Sequence, residues 1–123
     1  MAANQQLVEA FQRAVQLFNT QDWVSLEPLL HERVTMKRLD DPVEYHKGKA
    51  AVMNYFHTNG NADKANVTPK SHDNLVVGDI GLVWGSADWY NTKGAKAVLI
   101  AYAFAFKMVG GKWVAVNLWG AYA

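Results

Sequence analysis

Arg38, Asp88 and Tyr102 are the residues of this chain best suited to polar chemistry inside an apolar setting. An arginine binds an acidic or carbonyl oxygen through a fixed fork of donors. A carboxylate takes a proton from such a group or orients it. A phenol donates to a developing oxyanion. All three stand in runs of alternating side chains. Val34, Met36 and Arg38 alternate with Thr35, Lys37 and Leu39. Val98, Ile100, Tyr102, Phe104 and Phe106, all large, alternate with Ala97, Leu99, Ala101, Ala103 and Ala105, mostly small. Such alternation predicts β-strands, because successive side chains point to opposite faces. No charge falls between Lys96 and Lys107, so both faces of that strand must be covered.

Turn chemistry predicts which side chains share a face. Asn91-Thr92-Lys93-Gly94-Ala95 fits a three-residue hairpin loop with Gly94 as the left-handed bulge residue. That loop pairs Asp88 with Val98, Ser86 with Ile100 and Trp84 with Tyr102. Trp84, Ser86, Asp88 and Tyr90 then join the large-residue face, and Gly85, Ala87 and Trp89 join the alanines. A one-residue change in the loop reverses the assignment. The predicted pocket therefore has Asp88 as base or orienting group, Arg38 as anion-binding group and Tyr102 as hydroxyl donor. Met36, Tyr55, Phe56, Trp84, Tyr90 and Phe104 are its expected ligand contacts. The same residues also suit a structural ion pair and a packed core whose tyrosine hydroxyls are satisfied. For the last hairpin, a three-residue loop around Gly110 turns Val114, Val116 and Leu118 inward. A two-residue Gly110-Gly111 turn reverses that face.

Other candidates carry less. His31, His46, His57 and His72 show no metal-binding spacing, and cysteine is absent, so no metal or thiolate site is expected. His46, on a short strand before Gly48, either reaches the pocket rim or faces solvent. Ser71-His72-Asp73 has catalytic residue types, but neighbours on a strand point to opposite faces and form no triad by themselves. No cofactor motif is present, since Gly110-Gly111 is followed by no helix.

The positioning elements are helices first and strands later. Leu7, Phe11, Ala14, Val15 and Phe18 make one apolar stripe of an amphipathic helix. Asp22 is a good N-cap for a second, short helix, in which Pro28 predicts a kink or a 3₁₀ turn. A strand over residues 34–39 and a short return strand over 43–46 follow. Gly48 opens a third helix with Val52, Tyr55 and Phe56 inside, and Asn59-Gly60 ends it. Residues 61–66 are polar and expected to form a mobile loop. Four strands then run over about 67–77, 80–90, 95–107 and 112–122.

Composition sets the frame. At 123 residues, with 50% apolar and 19% charged side chains, the chain is expected to be one globular domain over residues 1–123. A net charge of +1 gives no reason to expect nucleic acid or an anionic membrane as partner. Without a signal-like N-terminus or a membrane-spanning apolar run, a cytoplasmic protein is expected. The uncharged alanine stripe predicts a homodimer through that sheet face.

Several short motifs carry a family resemblance: Phe18-Asn19-Thr20-Gln21-Asp22-Trp23, Leu29-Leu30 with Val34, Gly48-Lys49-Ala50-Ala51-Val52, Val77-Gly78-Asp79 and Gly111-Lys112-Trp113. In order and spacing the chain resembles the nuclear transport factor 2-like superfamily, in particular its SnoaL-like and ketosteroid-isomerase-like proteins. The resemblance implies an α+β fold, a cone-shaped barrel with N-terminal helices packed into a strongly curved, mostly antiparallel sheet, and a pocket at its open end. It also implies dimerisation through the outer sheet face. The ketosteroid isomerases' helix tyrosine, strand aspartate and second acid match positions at or near Ala14, Arg38 and Tyr102, so that mechanism is not expected. The histidines of the kinase association domains match Asn117 and Trp119. A small-molecule pocket protein is expected, either a cofactor-independent acid–base enzyme of isomerase, dehydratase, cyclase or hydrolase type, or a non-catalytic binding or assembly domain.

Overall fold

The computed structural model describes residues 2–39, 41, 43–58, 60, 64–90 and 96–122. Helix α1 (Ala3–Asn19) buries Leu7, Phe11, Leu17 and Phe18 on its apolar stripe. Helix α2 (Trp23–Leu26) starts where Asp22 accepts a hydrogen bond from the Ser25 N–H at 3.2 Å. Pro28 converts the continuation into a 3₁₀ turn, Glu27–Leu29. Strands β1 (Leu30–Arg38) and β2 (Tyr45–Lys47) precede α3 (Lys49–His57), which buries Val52 and Phe56. Strands β3 (Asn66–Val77), β4 (Ile80–Tyr90), β5 (Val98–Val109) and β6 (Lys112–Tyr122) complete the chain. Of the expected polar loop, Ala65 is buried and Asn66 already belongs to β3, while residues 61–63 lie outside the described residues. So do Asn59 of the expected helix end and the whole Asn91–Ala95 loop.

The strands form one six-stranded sheet in the order β2-β1-β6-β5-β4-β3. β1 runs parallel to β6, and the other neighbours are antiparallel. β2 and β3 are its edges, and a barrel requires the edges to pair with each other. The expected cone-shaped barrel with a strongly curved sheet is therefore corrected: the helices pack against an open, mixed sheet. The β3 edge is partly occupied by a side chain. Asn19 donates from Nδ2 to the Val67 carbonyl at 2.7 Å and accepts from the Val67 N–H at 2.8 Å. The end of α1 thus substitutes for a neighbouring strand at that residue.

The register differs from the expected one by a single residue. Asp88 pairs with Leu99, Ser86 with Ala101 and Trp84 with Ala103, whereas Gly85 pairs with Tyr102 and Val83 with Phe104. Ile100, Tyr102, Phe104 and Phe106 consequently share the inner face with Val83, Gly85 and Ala87, and Trp84, Ser86 and Asp88 join the alanines. The turn Gly110-Gly111 has two residues, with φ of 58° and 82°, and sets Trp113 opposite Met108 on the buried side. A bulge between the Phe106–Ala115 and Ala105–Asn117 pairs then shifts the phase. Beyond it Leu118 faces inward, and Asn117 and Trp119 lie with the alanines. Each expected register of that hairpin thus holds for one half of β6.

A second bulge, between Pro69 and Ser71 on β3, depends on Gly85. A Cβ built on Gly85 would stand 2.1 Å from the Ser71 carbonyl oxygen. The same oxygen accepts a hydrogen bond from Tyr102 Oη at 2.9 Å, so the ring crosses over Gly85 to reach β3. Gly85→Ala should therefore destabilise the protein by about 1–3 kcal/mol or more, because the obstructing atoms are backbone. Urea unfolding checks this, and an unchanged midpoint would contradict the close approach.

Candidate functional site

The inner face of the sheet and the three helices enclose a cavity of about 520 Å³. That volume is within the range of small-molecule sites. Its body is apolar. Ala14, Val15 and Phe18 come from α1, Tyr55 and Phe56 from α3, Met36 from β1, Ile100 and Phe104 from β5, and Leu118 from β6. Large inward side chains on β5 stand against small ones on its neighbours, as where Tyr102 pairs with Gly85 on one side and Gly120 on the other.

The polar groups collect at the end formed by β1, β2 and the close of β6. Arg38, Glu44, His46 and Tyr122 line that end. The Arg38 guanidinium lies 4.1 Å from the centre of the Tyr122 ring, and its Nη1 is 3.9 Å from Asp41 Oδ2. His46 Nε2 is 2.5 Å from Glu44 Oε1, and the His46 ring packs at 4.6 Å against Tyr55. These side chains are only partly shielded, with 34% of Arg38 and 29% of His46 exposed, so a ligand there meets charge without complete desolvation of the protein.

The residues singled out in the sequence divide between the two faces. Arg38, Tyr102, Met36, Tyr55, Phe56 and Phe104 all line the cavity. Asp88, Trp84 and Tyr90 do not. Asp88 lies on the opposite face, where its Oδ2 is 3.9 Å from Lys70 Nζ, and Trp84 and Tyr90 are exposed. The expected partnership of Arg38 with Asp88 is corrected on the same ground: the one-residue register difference puts the sheet between them. Glu44, Tyr122, Trp89 and Leu118 are lining residues that the sequence did not mark as site residues. Trp89 was legible only through the register. Glu44 follows from the short β2, whose pairing brings the Arg38 N–H to the Glu44 carbonyl at 3.1 Å.

Tyr102 is buried and stacks on Phe11 with ring centres 5.5 Å apart. Burial pushes its hydroxyl up to about 12. With the hydroxyl donated to Ser71, Tyr102 is a wall of the cavity that also ties β5 to β3. Among the described residues no group of three or more His, Cys, Asp or Glu side chains is placed to hold a metal ion. No described helix is long and apolar enough to cross a membrane.

A SnoaL-like domain model matches residues 11–116. No curated protein sequence is significantly similar to this chain. Solved structures share the fold at low identity. A candidate dehydratase of the NTF2-like family from Streptomyces avermitilis is 14% identical, with a TM-score of 0.85 over 97% of this chain and 94% of its own. An NTF2-like protein from Cytophaga hutchinsonii is 15% identical, with a TM-score of 0.83 over 100% of both chains. The CamKII hub homology domain of Chlamydamonas reinhardtii is 13% identical, with a TM-score of 0.79 over 100% of this chain and 99% of its own.

The buried phenol gives a pH test. An acid raised from 10.0 to about 12 stays neutral in the folded state while the unfolded chain ionises. Stability is unaffected below the unfolded value and falls as pH rises through the interval between the two. Tyr102→Phe should lose about 0.5–1.5 kcal/mol near neutrality with its hydrogen bond. It should also show a weaker alkaline loss than the wild type in chemical unfolding followed across that interval.

Proposed function

The chain belongs to the SnoaL-like domain family, within the nuclear transport factor 2-like superfamily, and on that premise we propose that its cavity binds a small, largely apolar molecule. The observation that carries this reading is a cavity of about 520 Å³ with an apolar body and its charged groups gathered at one end. Arg38 meets the ligand's acidic or carbonyl oxygen, and the aromatic and aliphatic walls cover the rest. Stacking on Tyr122 holds the guanidinium plane while its edge donors remain directed along that plane. The chemistry such a site supports is cofactor-independent acid–base catalysis, of isomerase, dehydratase, cyclase or hydrolase type. Of the expected catalytic residues, Arg38 and Tyr102 line this site, and Asp88 has no place in it.

An assembly role rests on a different surface. The outer sheet face carries exposed Leu75, Leu82, Trp84, Leu99 and Trp119 beside the alanines of β5. An apolar sheet face of this extent favours burial against another sheet. A second copy of the chain, packed through this face, is the partner we propose. Binding and self-association use opposite faces and are compatible.

Anilinonaphthalene sulfonate, apolar with one anionic group, should bind with saturating fluorescence. Arg38→Met should weaken it by about 1.5–3 kcal/mol, on the order of tenfold to a hundredfold, and Leu118→Trp should block it by filling the cavity. Equal affinity in all three proteins would contradict the cavity as the site. Ala103→Glu places a charge in the outer stripe and should give monomer in light scattering where the wild type gives dimer; a monomeric wild type would contradict the interface.

A further inference from the structure

Glu44 and His46 stand with Arg38 at the polar end of the cavity, and their placement follows from backbone pairing. Met36 is the partner of His46, and the Arg38 N–H bonds to the Glu44 carbonyl at 3.1 Å. Residues directly opposite on neighbouring strands project to one face. Met36 and Arg38 project into the cavity, so His46 and Glu44 do as well. The short 2.5 Å contact between His46 Nε2 and Glu44 Oε1 orients the imidazole. Tyr55 packs on the ring at 4.6 Å and limits its rotation. A carboxylate accepts only, so in the neutral imidazole the Nε2 position carries the hydrogen toward Glu44 and the lone pair falls on Nδ1. Among the described residues Nδ1 has no hydrogen-bond partner.

We infer that Glu44 and His46 form a proton-accepting pair for this cavity, and that its ligand ends in an acidic hydroxyl, a phenol or an enol. The inference rests on the cavity being a ligand site. The step is a single proton transfer. The ligand O–H bond breaks and an N–H bond forms at His46 Nδ1. The electron pair stays on the ligand oxygen, which becomes an oxyanion held by the Arg38 guanidinium. The chemistry of the three side chains selects the class. A carboxylic acid ionises near 4 and has already lost its proton in neutral water, leaving a base nothing to accept. A phenol ionises near 10, and a cation beside its oxygen lowers that by about 1–3 units, toward the range in which imidazole accepts a proton. The other charged or titratable groups lining this end are Lys37 on β1, Tyr55 on α3 and Tyr122 on β6. Asp41 stands 3.9 Å from Arg38.

Para-nitrophenol is the probe, because its phenolate is yellow and its phenol is not. At a pH where free para-nitrophenol is mostly phenol, added wild-type protein should produce a saturable phenolate band. His46→Gln should lose that band by roughly tenfold or more, the equivalent of at least one pKa unit. Glu44→Gln keeps an acceptor for the Nε2 hydrogen and removes only the charge, so it should fold normally and show a smaller loss. Para-nitroanisole, the methyl ether without the acidic proton, should bind wild type and both variants alike. An unchanged phenolate band in His46→Gln and Glu44→Gln would overturn the proton-accepting pair and leave the cavity reading standing. Binding of neither probe to the wild type would overturn the cavity reading and the pair with it.

Discussion

Strand β5 separates its side chains by size, and the pairing of β4 and β6 to it decides which side chains of the whole sheet meet the helices. The large set, Ile100, Tyr102, Phe104 and Phe106, lies under α1, where Phe11 touches both Tyr102 and Phe104 at ring separations of 5.5 and 5.8 Å. The small set leaves the other face flat. A shift of one residue in β4 would send Asp88 and Trp84 into the core and Val83 and Ala87 into water. Two bulges, on β3 and β6, change the phase of those strands part-way along, so Leu118 and Trp113 can both point inward. Gly85 makes the first bulge sterically possible. The cavity lies on the large-residue face of β5, where β6 contributes the small Ala115 and Gly120 opposite Phe106 and Tyr102.

The two faces of the sheet then have different physical characters. The charged groups that line the cavity stand at the β1–β2 end, where Arg38, Glu44 and His46 stay in contact with water. Keeping the charges at a rim avoids the large cost of burying them, yet leaves them close enough to act on a ligand whose bulk is desolvated. Tyr102, deeper and stacked on Phe11, has its hydroxyl occupied by Ser71 and serves as structure. On the outer face, near the C-terminal end of β4, Asp88 pairs with Lys70 beside exposed Leu99.

Local signals in the chain were legible where one residue decides the outcome. The 3.6-residue stripe of α1, the Asp22 cap and the break at Pro28 are each set by a short segment, whereas Gly110-Gly111 marked a turn and left its length open between two and three residues. Strand existence was equally plain from the alternation on β1 and β5. Facing was not, because it depends on a count: one residue more or fewer between Tyr90 and Val98 reverses every side chain on β4. The bulge residues Lys70 and Val116 have ordinary strand compositions, so nothing in their types marks the phase change. Met36, Arg38, Tyr55, Phe56, Tyr102 and Phe104 were placed together because their faces rest on β1, α3 and β5. Asp88, Trp84 and Tyr90 were misplaced because theirs rests on the loop. Sheet closure was also invisible, since it depends on whether β2 and β3 pair and no local pattern encodes that.

Methyl-resolved NMR during titration with a naphthol tests the central claim most directly, because the two faces carry distinguishable methyl groups. Met36, Ile100 and Leu118 face the cavity, whereas Leu75, Leu82 and Leu99 lie on the outer face and are exposed. The account predicts saturable shifts of the first three methyl sets and none of the others beyond dilution effects. Saturable shifts confined to Leu75, Leu82 and Leu99, with the inner methyls unmoved, would contradict it.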